Sequence, residues 1–162
     1  QPCSSAASDV YKRQIQNVDW EKDKHRLKAL REHVFVLEWR VPEASEFDEH
    51  DSSACHVLIV NDENEPIATG RLTKRGELGR IAVKRCHRTL PVYRALFEAL
   101  INTAKQNNVP IIKVVCNLES VSYHQSIGFI PDGQVFMDAG VPRQRLKCPA
   151  ERFPLPDVTQ LH

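Results

Sequence analysis

Gly79-Arg-Ile-Ala-Val-Lys-Arg-Cys-His-Arg-Thr-Leu-Pro-Val-Tyr-Arg-Ala-Leu-Phe-Glu-Ala-Leu100 decides how this chain folds. Ile81, Ala82 and Val83 make a short apolar run, and Lys84 to Arg88 make a basic loop. Beyond the loop, Val92, Leu96, Leu100 and Ala104 fall along one stripe, which Phe97 and Ile101 broaden. The run predicts a strand and the stripe predicts an amphipathic helix from Val92 to Gln106. A strand that enters a helix through such a loop offers backbone N–H groups to a phosphate.

Working outward, Asn107-Asn108 ends the helix, and Val109 to Cys116 is an almost unbroken apolar run. A strand–helix–strand crossover sets that run parallel to Ile81–Val83. Ser120 to Ile127 reads as a short helix stopped by Gly128. Gln134–Met137 and Gln144–Leu146 read as a closing hairpin. Upstream, Cys55–Val60 and Ile67–Leu72 flank a turn at Asn61–Pro66, so this part of the sheet is expected to be antiparallel. Trp20 to Val36 reads as a helix capped by Asp19, with Leu27, Leu30 and Val34 toward the core. Between that helix and the sheet lies an acidic segment, Glu43 to Asp51. It reads either as a solvated loop or as a carboxylate wall that attracts or deprotonates a cationic substrate.

Both ends read differently from the middle. Ser4 to Gln14 resembles an in-frame translation of a sequencing adapter, so residues 1–14 are set aside and the domain is expected to span 15–147. Residues 148–162 contain three prolines and no periodicity, and read as a tail or linker.

The 162 residues suit one domain with a real core. With 22 Lys and Arg against 21 Asp and Glu, the net charge of +1 supplies no bulk field for nucleic acid or an anionic membrane, and neither is expected as a partner. No apolar run reaches the ~20 residues of a membrane span. The five cysteines are scattered without a C-x-x-C pair, so neither a zinc site nor a disulfide framework is expected, and a reducing cytoplasm fits.

Arg31-x-x-x-Phe35-x-x-Glu38, Glu46-x-Asp48-x-x-Asp51, Gly79-Arg-Ile-Ala-Val83, Ile127-Gly-Phe129 and Phe136-Met-Asp-Ala-Gly-Val-Pro142 occur in this order. Together they resemble the GNAT superfamily of acyl-CoA-dependent N-acyltransferases, in its small bacterial branch, over roughly Trp20 to Lys147. The resemblance implies an α/β (α+β) fold: a mixed, mostly antiparallel central sheet with a splayed parallel strand pair, flanked by helices. It implies acetyl-CoA as acyl donor, no metal, and a small-molecule or protein amine as acceptor; a homodimer is left open. In such folds the pantetheine arm lies between the splayed strands, which brings in Ile81, Ala82, Val83 and Asn117. The pyrophosphate sits over Arg88, Thr89, Leu90, Val92, Tyr93 and Arg94. His124 stands where the family commonly has a tyrosine that protonates the departing thiolate. Glu38 is the other catalytic candidate, and Glu46, Asp48 and Asp51 are candidates for holding the amine.

The chain departs from the family pattern at the pyrophosphate loop. Both expected glycines are replaced, and Pro91 has no N–H to donate. Three readings stay open: an acetyl-CoA-dependent N-acetyltransferase, a degenerate domain acting as a non-catalytic interaction module, and an acyl-homoserine-lactone-synthase-like acyltransferase. The third rests on Arg31, Phe35, Trp39, Glu46, Asp48, Asp51 and Arg71.

Overall fold

The computed structural model describes residues 14–156. The adapter-like segment falls outside them apart from Gln14, which opens an edge strand, β1 (Gln14–Val18), ahead of the first expected element. Ile15 and Val18 are its apolar residues, too few for a periodic signal. Its pairing with β2 (Cys55–Val60) makes it a strand, in register from Gln14↔Val60 to Val18↔His56.

Asp19 caps α1 (Trp20–Arg31) as expected, its carboxylate accepting the Glu21 N–H at 2.8 Å. Leu27, Leu30 and Val34 pack against Leu58, Val60 and Ala82. The single helix expected through Val36 changes character after Arg31. Residues Glu32–Glu38 are π-helical, and the Trp39 N–H reaches back five residues to the Val34 carbonyl at 3.0 Å. Val34 is buried as expected, and the wider turn leaves Leu37, the next position of the regular stripe, 62% exposed.

After the short α2 (Glu43–Glu46), β2, β3 (Pro66–Leu72) and β4 (Leu78–Val83) form an antiparallel sheet in the order β1-β2-β3-β4. The helix α3 (Leu90–Gln106) lies across it, burying the predicted stripe. Gly70 allows that approach, because a Cβ there would stand 2.7 Å from Leu100 Cδ1 and 2.9 Å from Ile81 Cδ1. The helix starts ahead of Val92 because Pro91 sits in its first turn, where a missing N–H costs no intrahelical bond.

The second sheet contains β5 (Ile111–Asn117), β6 (Ile130–Pro131), β7 (Phe136–Asp138) and β8 (Val141–Pro149). Between β5 and β6 lies α4 (Val121–Ser126). The closing hairpin turns through Ala139 (φ 50°) and Gly140 (φ 82°), and residues 143–149 of β8 pair with all of β5. The segment read as a tail therefore begins inside a strand. Cys148 pairs with Ile112, the Ala150 N–H donates to the Pro110 carbonyl at 2.8 Å, and Phe153 packs on the core. A strand partnered by β5 needs no alternation of its own to be held, so composition alone could not show it.

The two sheets meet where Glu77 bridges Lys113 in parallel and the Lys113 N–H donates to the Gly76 carbonyl at 2.8 Å. Among the described residues, no further β4–β5 pairing follows that bridge. The parallel strands thus splay, as the fold class implied. Gly76 makes the junction: its φ is +87°, and a Cβ would lie 2.3 Å from the Ile111 carbonyl oxygen.

Candidate active site

The splay is the feature around which the candidate residues collect. On the β4 side, Arg80 has φ 51° and the register with β3 shifts between Thr69 and Arg71, a bulge that re-aims the side chain. The Arg80 guanidinium donates from Nε to the Glu46 carbonyl and from Nη2 to Asp48 Oδ2, both at 3.0 Å. Ala82 and Val83 are buried and Ile81 half-buried. On the β5 side, Asn117 ends the strand and caps a 3-10 turn that leads into α4.

The loop that enters α3, expected to hold the pyrophosphate, spends most of its amides internally. Thr89 N–H donates to His87 O at 2.8 Å, while Val92 and Tyr93 N–H both donate to Thr89 O, at 3.1 and 3.2 Å. Pro91 has none to give, so Leu90 retains the one unengaged N–H from Thr89 to Tyr93. The Thr89 hydroxyl oxygen is buried without a hydrogen-bond partner. Arg94, expected over the same loop, instead donates from Nε to the Pro156 carbonyl at 2.7 Å.

Two candidates that the sequence kept apart form one unit. Arg88 grips Glu38 with both terminal nitrogens, at 2.6 and 2.7 Å, and donates from Nε to the Val83 carbonyl at 3.0 Å. The Arg88 hydrogen bond holds the Glu38 carboxyl below its ordinary range. Glu38 is thus a pinned, weakly basic carboxylate, with the Trp39 ring 5.8 Å from the guanidinium carbon. Burial pushes the neighbouring Tyr93 phenol up to about 12 from 10.0. Because the folded value is the raised one, this contribution to stability is complete below pH 10 and is lost as pH rises toward 12. Denaturation followed from pH 9 to 12 should show that loss, and Tyr93→Phe should flatten it; an unchanged slope would exclude the phenol as its source.

Of the five acids in the segment, Glu43 and Glu49 are exposed, while Glu46, Asp48 and Asp51 pair with arginines. Arg31, 1% exposed, donates to Glu46 Oε1 at 2.8 Å and Asp51 Oδ1 at 2.7 Å. Arg71 Nη1 donates to Asp48 Oδ1 at 2.7 Å and to Asp51 Oδ1 at 2.9 Å. Three arginines therefore neutralise three acids. Burial outweighs the arginines at Glu46 and raises its carboxyl. At Asp48 and Asp51 burial also raises, but the arginine hydrogen bonds and charges prevail and hold both low. His56 seals the floor, donating from Nε2 to the Asp51 carbonyl at 2.9 Å while its ring stacks on Trp20 at 5.1 Å. Arg80 went unsingled in the sequence, since a lone arginine next to a strand carries no spacing signal. The matching count of acids and arginines was the cue available.

His124 is buried. Its Nδ1 donates to the Ser120 carbonyl at 2.8 Å, and its ring meets Phe129 edge-on at 5.4 Å. That bond fixes the ring and leaves Nε2 for proton exchange. Cys55, Cys116 and Cys148 are free thiols. Among the described residues, no group of three or more His, Cys, Asp or Glu could hold a metal ion, and no helix is long and apolar enough to cross a membrane.

A family model described as an acetyltransferase (GNAT) domain matches residues 16–149. An uncharacterised Bacillus subtilis protein, YyaT, is 29% identical over 133 residues, covering 79% of this chain and 90% of its own. A putative N-acetyltransferase of Lactobacillus plantarum superposes with a TM-score of 0.72 at 20% identity, over 85% of this chain and 98% of that one. BjaI, a CoA-dependent acyl-homoserine lactone synthase solved with SAM and isopentyl-CoA, gives 0.67 at 14% identity, over 85% and 83%. At those identities the two structures speak for the fold alone.

Proposed function

The chain belongs to the GNAT acetyltransferase family, and from that premise we propose that it transfers an acetyl group from acetyl-CoA to an amine by direct attack. Members of the family use acyl-CoA donors and amine acceptors. The observation that carries the proposal is the splay, where β4 and β5 part after Glu77–Lys113 and leave strand edges beside the α3 N-terminus. The pantetheine arm would lie along Ile81–Val83 and Asn117. Phosphate contacts would come from the Leu90 N–H and from the Lys84 and Arg85 side chains, since the Thr89, Val92 and Tyr93 amides are committed and Arg88 is held by Glu38.

In the reaction, the amine nitrogen bonds to the thioester carbonyl carbon and the C–S bond breaks. A strand N–H near Ala82 or Val83 would stabilise the oxyanion. With Nδ1–H bonded to the Ser120 carbonyl, His124 would act as an imidazolium, giving the Nε2 proton to the leaving thiolate and ending as the neutral Nδ1–H ring. The amine's proton would pass to water or to Glu38. Because Arg88 lowers the basicity of Glu38, water is the better acceptor while that pair holds. Glu46 and Asp48 act here by fixing Arg80 beside the bulge, and Asp51 by holding Arg31 and Arg71. A cytoplasmic location, where CoA thioesters are available, follows from this reading.

Calorimetric titration with acetyl-CoA tests it, and no heat at millimolar ligand would sink it. Given binding, His124→Ala should lower kcat about 10²-fold with little change in affinity. Equal turnover would remove His124 from the mechanism. The committed amides of Thr89, Val92 and Tyr93 are what favours the second reading, a domain that has kept the fold as an interaction module without binding CoA.

A further inference from the structure

After the 3-10 turn Ala150–Arg152, the chain does not leave the molecule. Phe153 stacks on Phe97 of α3 at 5.9 Å between ring centroids and meets Phe129 edge-on at 5.6 Å. Phe129 in turn is the ring against which His124 packs at 5.4 Å. Three residues on, Pro156 is buried and its carbonyl holds Arg94, in the second turn of α3, at 2.7 Å. The segment Phe153–Pro156 thus spans from the Phe129–His124 side to the N-terminal part of α3. It ties down one of the cations near the loop that enters α3.

The sequence suits a strap of this kind. Pro154 and Pro156 fix two of its four φ angles, and Phe153 is held extended (φ −60°, ψ 120°) by the proline after it. A stiff segment loses little entropy on seating, and one half-buried aromatic ring is a modest anchor. Leu155 remains 41% exposed, so the strap is held at its two ends and not along its length.

The geometry points to an autoinhibitory contact: Phe153–Pro156, seated on Phe97 and Phe129 and holding Arg94, competes with the acyl-CoA donor for Arg94 and for the surroundings of His124. This rests on the donor reading above. A donor with its phosphates by Arg94 and its thioester by His124 would meet the strap at both ends, at the Pro156 carbonyl that holds Arg94 and at the Phe129 ring that backs His124. Donor binding would therefore lift Phe153 from Phe97 and free Arg94 for the phosphates.

The test uses the full chain. Acetyl-CoA affinity is measured by calorimetry for the unaltered protein and for Phe153→Ala, and hydrogen exchange of residues 150–156 is followed with and without acetyl-CoA. Expected are about tenfold tighter binding by the variant and faster exchange of this segment in the unaltered protein when the donor binds. Equal affinities with unchanged or slowed exchange would overturn the strap and leave the donor reading standing. If neither protein binds acetyl-CoA, the donor reading falls and the strap falls with it. Should Phe153→Ala fail to fold, the exchange measurement on the unaltered chain decides.

Discussion

Arg31→Ala is expected to destabilise the fold by about 3–5 kcal/mol, the usual cost of leaving buried charges without their partner. Arg31 is 1% exposed, and it binds the Glu46 carboxylate, the Glu46 carbonyl and both oxygens of Asp51. Alanine would leave a cavity as well as two uncompensated acids. Urea denaturation of the variant measures the loss. A cost below ~1 kcal/mol would mean that Arg71 and Arg80 neutralise the acids unaided. The same network sets the acid limb of stability. Asp48 and Asp51 have depressed folded values, so their contribution is complete above the ordinary aspartate value of ~3.9 and is lost as pH falls through the lower folded values. Glu46 works the other way. Its raised folded value means that protonation in acid relieves a burial cost and partly offsets that loss.

Gly76→Val should be comparably severe and should also reach the splay. The position has φ +87°, which a β-branched residue rarely adopts, and its Cβ would lie 2.3 Å from the Ile111 carbonyl oxygen. The backbone would have to withdraw, breaking the Lys113–Gly76 hydrogen bond that joins the sheets. About 3 kcal/mol of destabilisation is expected from conformational strain and the lost contact together. Donor affinity should fall with it, because the strand spacing depends on that junction. Gly79→Ala is the control. A Cβ at Gly79 meets nothing within 4 Å, so its effect should be small. Similar losses at both positions, read by thermal denaturation, would contradict the close approach at Gly76.

Much of the fold could be read from the residues. The β2–β3 hairpin, the α3 stripe, the crossover to β5 and the Asp19 cap each have a local cause, whether alternation, a 3.6-residue period or a side chain that accepts an N–H. β1 and the far end of β8 have none. They are strands because a neighbouring strand supplies their hydrogen bonds, and Ile15 or Cys148 alone carries no sign of that neighbour. The π-helical turn Glu32–Glu38 was hidden for a related reason, since its residues favour an ordinary helix and only packing imposes the wider turn.

For the candidate site, the sequence by itself determined the residue types and their order along the chain: a basic loop without glycines, an acidic segment, and a histidine ahead of Gly128. Those are properties of single residues and short spacings, and they carry through folding unchanged. What each residue does was decided by the tertiary structure. Arg88 closes on Glu38, which lies 50 positions away in the chain. Within the segment that read as a wall, Glu46, Asp48 and Asp51 are paired with Arg31, Arg71 and Arg80. Phe153, read as part of a tail, seats between Phe97 and Phe129. Charge pairing and aromatic packing act over a few ångströms of space and are indifferent to distance along the chain, so only the folded chain could assign them.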